Sequence, residues 1–157
     1  MASLNTLKKS IVVVALAASL AACGDNDSND PVQIVTPPTP EPVSYTFDVT
    51  VSNLTAGQPL SPIAVIAHTE GTLWQIGSPA SVALETMAEG GDNSQLLALE
   101  NAIANASSEG PVGPGANTTI TLTTDSLEAL KLSLATMMVN TNDGFTGLSA
   151  LDVSTLA

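Results

Sequence analysis

The sequence predicts a mainly β domain with one or two short inserted helices, carried behind an export leader and a linker. Three observations predict it. Tyr45, Phe47, Val49 and Val51 alternate with Thr46, Asp48, Thr50 and Ser52, the period of two of a half-buried strand. Thr118–Thr124 repeats that alternation around Ile120 and Leu122. Turn-rich segments, Asn53–Pro62 and Gly110–Asn117, cut the apolar runs into strand-sized pieces.

The chain begins with an address. Lys8 and Lys9 stand directly before the apolar block Ile11–Leu20. A basic stretch and then a short apolar stretch is the order of a secretory signal. That block is ten residues long, half of the roughly 20 a helix needs to span a bilayer. Leu20-Ala21-Ala22-Cys23 follows and resembles the lipobox of bacterial lipoproteins. The resemblance implies acylation of the Cys23 thiol, cleavage before Cys23 and acylation of the new amine. Several acyl chains anchor a protein stably where one chain holds it only marginally. Gly24, rather than Asp, follows the cysteine, which by the same resemblance favours the outer membrane. Residues 1–22 are therefore read as a lipoprotein signal, 23–43 as lipidated Cys plus linker, and 44–157 as the domain.

Charge and cysteine count remove several function classes. There are three Lys plus Arg, all of them Lys, against fifteen Asp plus Glu. After cleavage one Lys remains against fifteen acids, a side-chain charge of −14. Such a surface repels nucleic acid, whose phosphates need cationic partners. One cysteine excludes a disulfide scaffold. Gly24–Val43 holds five of the ten prolines and reads as an acidic, extended tether. Asp25, Asp27, Asn29 and Asp30 lack the Gly and closing Glu of a calcium loop, so they read as solvated spacer.

The remaining elements follow in order. Ile63–Ala67 is a short apolar run read as a buried strand, and Thr72–Ile76 is a further strand candidate. Ser78-Pro79 supplies a cap and a first-turn proline for a helix that ends near Glu89, at Gly90-Gly91. Ser94–Ala106, with Leu96, Leu99, Ala102, Ile103 and Ala106 on one face, predicts a second helix capped by Asp92 or Asn93. Asp125–Asn140 fits two templates. Asp125-Ser126-Leu127-Glu128 is a capping box leading into a helical spacing, while Leu130, Leu132, Leu134 and Met138 fit a strand face.

Residues 45–152 resemble the spondin N-terminal domain, in the version found in bacterial lipoproteins. The resemblance starts with the alternating strand and Asn53-Leu54-Thr55-x-Gly57-Gln58-Pro59-Leu60-Ser61-Pro62. It continues through His68, Trp74, Gly77, Ala80-Ser81 and Ala88-Glu89-x-Gly91. It closes with Leu132-Ser133, Met137-Met138 and Thr141-Asn142-Asp143-Gly144-Phe145-x-Gly147-Leu148. It implies a C2-like antiparallel β-sandwich and a strand over Leu132–Val139. Family members usually continue through a second acidic loop and further strands, so the chain is read as a truncated fragment, with a shortened member as the alternative.

The resemblance also implies calcium at one end of the sandwich, with Asp143, beside Asn142, as the one carboxylate that carries over. Calcium takes six to eight oxygens, and Asn142-Asp143-Gly144 is equally a plain turn. For this chain the turn is the preferred reading, and for a full-length form with the later acidic loop the calcium site is, which would make binding calcium-dependent. His68, the sole histidine, reads as a satisfied structural side chain, since no nucleophile-elbow sequence and no zinc partner accompany it. Trp74, beside Leu73 and Ile76, reads as core, with an exposed ligand platform as the alternative. Glu89 reads as a helix-end carboxylate. The Asn-x-Ser/Thr patterns at Asn53, Asn105 and Asn117 are treated as chance. The expected function is non-catalytic: a lipid-anchored outer-membrane protein that binds an extracellular protein or polysaccharide. The rival is a hydrolase of extracellular polymer using Glu89 and Asp143 as an acidic pair.

Overall fold

The computed structural model describes residues 2–4 and 42–155. Cys23 and most of the linker lie outside the described residues. The chain is mainly β, with two antiparallel sheets and short helices, a β-sandwich as expected. One sheet has the order β1-β2-β5, from Ala2–Leu4, Tyr45–Ser52 and Asn117–Thr124. The other has the order β4-β3-β6-β7, from Ala104–Ser107, Ala64–His68, Lys131–Met137 and Phe145–Asp152. Helices α1 (Val82–Gly90) and α2 (Ser94–Leu97) pack on the outer face of the four-stranded sheet.

Burial explains the layering. Phe47, Val49 and Val51 of β2 join Ile120 and Leu122 of β5 in a core that Val65, Ala67, Leu132 and Leu134 complete from the facing sheet. The other face of β3 and β6 presents Ala64, Ile66 and Ala135 to Leu84, Met87 and Leu96 of the helices. The central strands are thus covered on both sides, so β3 reads as an unbroken apolar run. β2 and β5 keep polar residues outward and therefore alternate. Thr50 and Thr119 share a hydrogen bond across that outer face at 2.9 Å.

Three local expectations are corrected. α1 starts at Val82, not at Pro79. Ser78 is spent on a turn, its N–H bonding the Gln75 carbonyl at 3.1 Å, with Gly77 at φ 84°. Ser81 is the cap instead, its Oγ accepting from the Leu84 N–H at 3.3 Å. The helix does stop where Gly90-Gly91 placed it: Gly91 is left-handed and returns its N–H to the Met87 carbonyl at 2.9 Å.

Thr72–Ile76 is no strand but a loop. The second helix ends at Leu97, because Ala104–Ser107 pairs with Ala64–Ala67 and satisfies the backbone of β3's outer edge. Asp92 accepts from the Ser94 N–H at 2.9 Å. That bond, then one from the Ser94 side chain, holds the Asp92 carboxyl below its ordinary value. Of the two templates that Asp125–Asn140 fits, the strand is the one formed, as the resemblance implies, and the capping box at Asp125–Glu128 caps no helix. The chain turns there, with Ala129 at φ 52°, and enters β6 as a strand. β7, absent from the sequence reading, follows through the Asn142-Asp143-Gly144 turn.

Candidate functional site

A buried polar arrangement surrounds His68, at the end of β3. His68 and Ser133 are buried, 3% and 0% exposed, on the helix-side face of the sheet. The imidazole Nδ1 lies 2.8 Å from the Glu70 carbonyl, which can only accept. Nδ1 therefore carries the proton, and in the neutral ring Nε2 accepts from the Ser133 hydroxyl at 2.8 Å. Ser133 Oγ in turn accepts from the Ala150 N–H at 2.8 Å.

A bulge makes that last bond available. The register of β6 with β7 shifts between Leu132, opposite Leu151, and Leu134, opposite Leu148. Ser149 and Ala150 thus face Ser133 alone. Ala150 stands at φ 56°, a conformation that costs an alanine roughly 1–2 kcal/mol. The displaced Ser149 Oγ accepts from the N–H groups of Leu73 and Trp74, at 2.9 and 3.3 Å, and donates to the Trp74 carbonyl at 3.2 Å. One bulge therefore fixes both the histidine pair and the loop that sequence reading took for a strand. Glycine at the strained position relieves it: Ala150→Gly should raise stability by about 0.5–1 kcal/mol. Thermal melts check this, with Ala150→Val expected to shift the opposite way.

The arrangement holds a serine and a base in contact but lacks the rest of a catalytic set. A nucleophile must reach its substrate, and Ser133 has no exposed surface. A carbonyl rather than a carboxylate meets Nδ1. The adjoining cavity, about 140 Å³ and lined by Ile66, His68, Leu73, Leu99 and Asn101 among others, reaches the imidazole but does not include Ser133. In the sequence Ser133 is marked only as part of the Leu132-Ser133 element of the resemblance, with no role assigned to it.

Trp74 is half-buried in the helix-side apolar cluster, edge-to-face with Phe145 at 5.3 Å and 79°. Its six-membered ring lies over Gly147, where an added Cβ would sit 2.9 Å from Cη2. Beyond it the loop exposes Ile76, at 95%.

Glu89 is exposed in the last turn of α1, and Asp143 is exposed in the β6–β7 turn. Asp143 is left-handed, φ 63°, and its Oδ2 accepts from the Asn142 amide at 2.8 Å. The turn closes through Thr141 Oγ1, which donates to the Met138 carbonyl and accepts from the Gly144 N–H. One carboxylate and one amide, bonded to each other, fall short of calcium's six to eight oxygens. Among the described residues no three His, Cys, Asp or Glu side chains converge. These residues by themselves do not fit a calcium site. No helix among the described residues is long and apolar enough to cross a membrane. No family model matches the chain, and no curated protein matches it.

Proposed function

We propose that the chain is a non-catalytic, lipid-anchored protein of a bacterial envelope, displaying a spondin-like β-sandwich for binding or adhesion. The observation that carries the reading is Leu20-Ala21-Ala22-Cys23 behind Lys8, Lys9 and the apolar block. Acyl chains on Cys23 supply the membrane partner, and the acidic, proline-rich linker holds the domain off the lipid surface. Gly24 favours the outer membrane. The partner is an extracellular protein or polysaccharide. The acidic-pair rival gains no support from Glu89 and Asp143, which sit exposed on separate elements, α1 and the β6–β7 turn.

Metabolic labelling with a palmitate analogue tests the anchor. The wild-type protein should carry the label and partition with membranes. Cys23→Ala should lose the label and remain as an uncleaved or soluble species. A wild-type protein recovered unlabelled in the soluble periplasm contradicts the reading.

A further inference from the structure

Four segments meet beside the end of β3 and leave a cavity of about 140 Å³ between them. Its inner end is made by Ile66 and His68, 1% and 3% exposed. Leu73 and Leu99, both half-buried, form its sides, and the exposed Thr72, Ser81 and Asn101 form its mouth. Hydrogen bonds hold the segments in place. Gly71, left-handed at φ 78°, turns the chain toward Thr72. Asn101 Nδ2 donates to the Glu70 carbonyl at 3.2 Å, and the Ile103 N–H donates to the Ala67 carbonyl at 2.9 Å. Ser149 Oγ fixes the Leu73 and Trp74 N–H groups. The cavity is therefore formed by the fold itself, as ligand pockets usually are.

The lining divides by chemistry. Both nitrogens of His68 are engaged, with Glu70 and Ser133, so the ring offers a ligand only carbon surface. With Ile66, Leu73 and Leu99 it makes the interior apolar. The mouth mixes donors and acceptors. Asn101 commits an amide N–H to Glu70, which leaves its Oδ1 to accept. Ser81 Oγ accepts from the Leu84 N–H, which leaves its hydrogen to donate. Thr72 adds a hydroxyl that can do either. No acid and no lysine lines the cavity, while the exposed Glu70 and Glu100 stand next to Gly71 and Asn101 in the chain. A cavity of about 150 Å³ takes one benzene ring, so this one has room for a single six-membered ring.

We propose that the cavity binds a neutral sugar ring at the end of a polysaccharide chain. The inference rests on the reading of the domain as a binding module, and it names the polysaccharide as the ligand of this site. A pyranose is apolar on its C–H faces and carries hydroxyls around its edge. One face lies against Leu73, Leu99 and the imidazole, and the edge hydroxyls meet Thr72, Ser81 and Asn101. A plain hydrocarbon ring fills the interior but gives those three groups no partner. A uronic acid finds no cation in the lining and meets the field of Glu70 and Glu100. Space for one ring admits a chain end, whose linkage leaves through the mouth, and not the middle of a chain.

The test is an NMR titration of the full, untagged chain carrying Cys23→Ala, with the methyl pyranosides of glucose, galactose and mannose as probes. His68 is the sole histidine, so its ring C–H signals report on the floor of the cavity by themselves. At least one pyranoside should shift them saturably, with a Kd of about 1 mM, the strength that about a dozen non-hydrogen atoms reach at ordinary ligand efficiency. The corresponding uronic acid should bind at least about threefold more weakly at low salt. Cyclohexanol, of similar ring size, should bind more weakly than the sugar. Thr72→Val removes a hydroxyl at nearly constant shape and should weaken binding about three- to tenfold. Leu99→Trp fills the cavity and should abolish the shift. Thermal melts establish that each variant folds, and Thr72→Val decides alone if Leu99→Trp does not.

The absence of a saturable shift at His68 with all three pyranosides overturns the proposal. So does cyclohexanol binding as well as the sugar, which makes the site a simple apolar pocket. Undiminished binding of the uronic acid, or by Thr72→Val, overturns it too. Retention on immobilised polysaccharides separates this inference from the reading beneath it. A polysaccharide that holds the wild type but not Leu99→Trp supports the site. One that holds both equally overturns the site and leaves the binding module standing. If none holds the wild type, the site is overturned and the module's partner is a protein.

Discussion

Gly147→Ala should be the most damaging single-methyl change in the domain, lowering stability by about 3 kcal/mol and the melting temperature by about 10 °C or more. Gly147 pairs with Ala135 across β6 and β7. A Cβ there would run into the Leu134 carbonyl oxygen, come 3.0 Å from the Leu134 carbonyl carbon, and sit 2.9 Å from Trp74 Cη2. A flexible side chain tip can swing away from such a contact. A carbonyl in a ladder moves only with its strand, so relief means separating β6 from β7. The Trp74 ring must move as well, which breaks its edge-to-face contact with Phe145. Because Trp74 is the sole tryptophan, its emission reports this displacement alone and should shift to the red. Gly57→Ala is the matched control. Its added methyl meets nothing within 4 Å, so stability should stay within about 0.5 kcal/mol. An unchanged melt and emission for Gly147→Ala would mean that β7 does not lie against β6 in this register.

How legible each strand was depends on what covers its two faces. β2 and β5 form the outer layer, one face in the core and one in water, so their period of two survives in the sequence. β6 is covered on both faces. Leu132, Ser133, Leu134, Ala135 and Thr136 are all buried, and with every position apolar or small, the helical and extended templates fit equally well. Only the resemblance favoured the strand. β4 is Ala-Asn-Ala-Ser, a composition with little β preference. It is a strand because β3 needs a partner, and that need overrides the helical spacing of Leu99, Ala102 and Ile103. β7 was hidden by its own bulge, since an extra residue at Ser149–Ala150 breaks the alternation that would have announced it. The same bulge made the interior polar cluster illegible. His68 could be singled out as the only histidine, but its partner Ser133 and the Ala150 N–H become neighbours only once the register of β6 and β7 is set.

Asn53→Ala should cost about 2–4 kcal/mol, because four polar groups depend on one buried amide. Asn53 is 1% exposed. Its Nδ2 donates to the carbonyls of Gln58 and Val112, both at 2.8 Å. Its Oδ1 accepts from the Thr55 N–H at 3.1 Å and the Thr55 hydroxyl at 2.7 Å. The backbone adds an N–H to the Ala116 carbonyl at 2.9 Å and accepts from the Gly115 N–H at 2.8 Å. The side chain uses both donors and both acceptor sites, pinning the loop after β2 to the turn that opens β5. Thr55 thus serves Asn53 directly, which gives the Asn-x-Thr spacing a folding reason instead of an acceptor role. The amide donors are the critical half, and Asn53→Asp isolates them. It keeps the shape and the bonds from Thr55 but turns two donors into acceptors facing two carbonyls. At neutral pH the aspartate should therefore be worse than the alanine. Burial against carbonyls raises such a carboxyl above its unfolded value. Protonation in the folded state then restores one donor, so the aspartate variant gains on the alanine variant as the pH falls toward about 4. Denaturant melts of the two variants across that range read the difference directly, since every other titrating group is common to both. A constant gap between them would mean that Asn53 acts through its shape and not through its two donors.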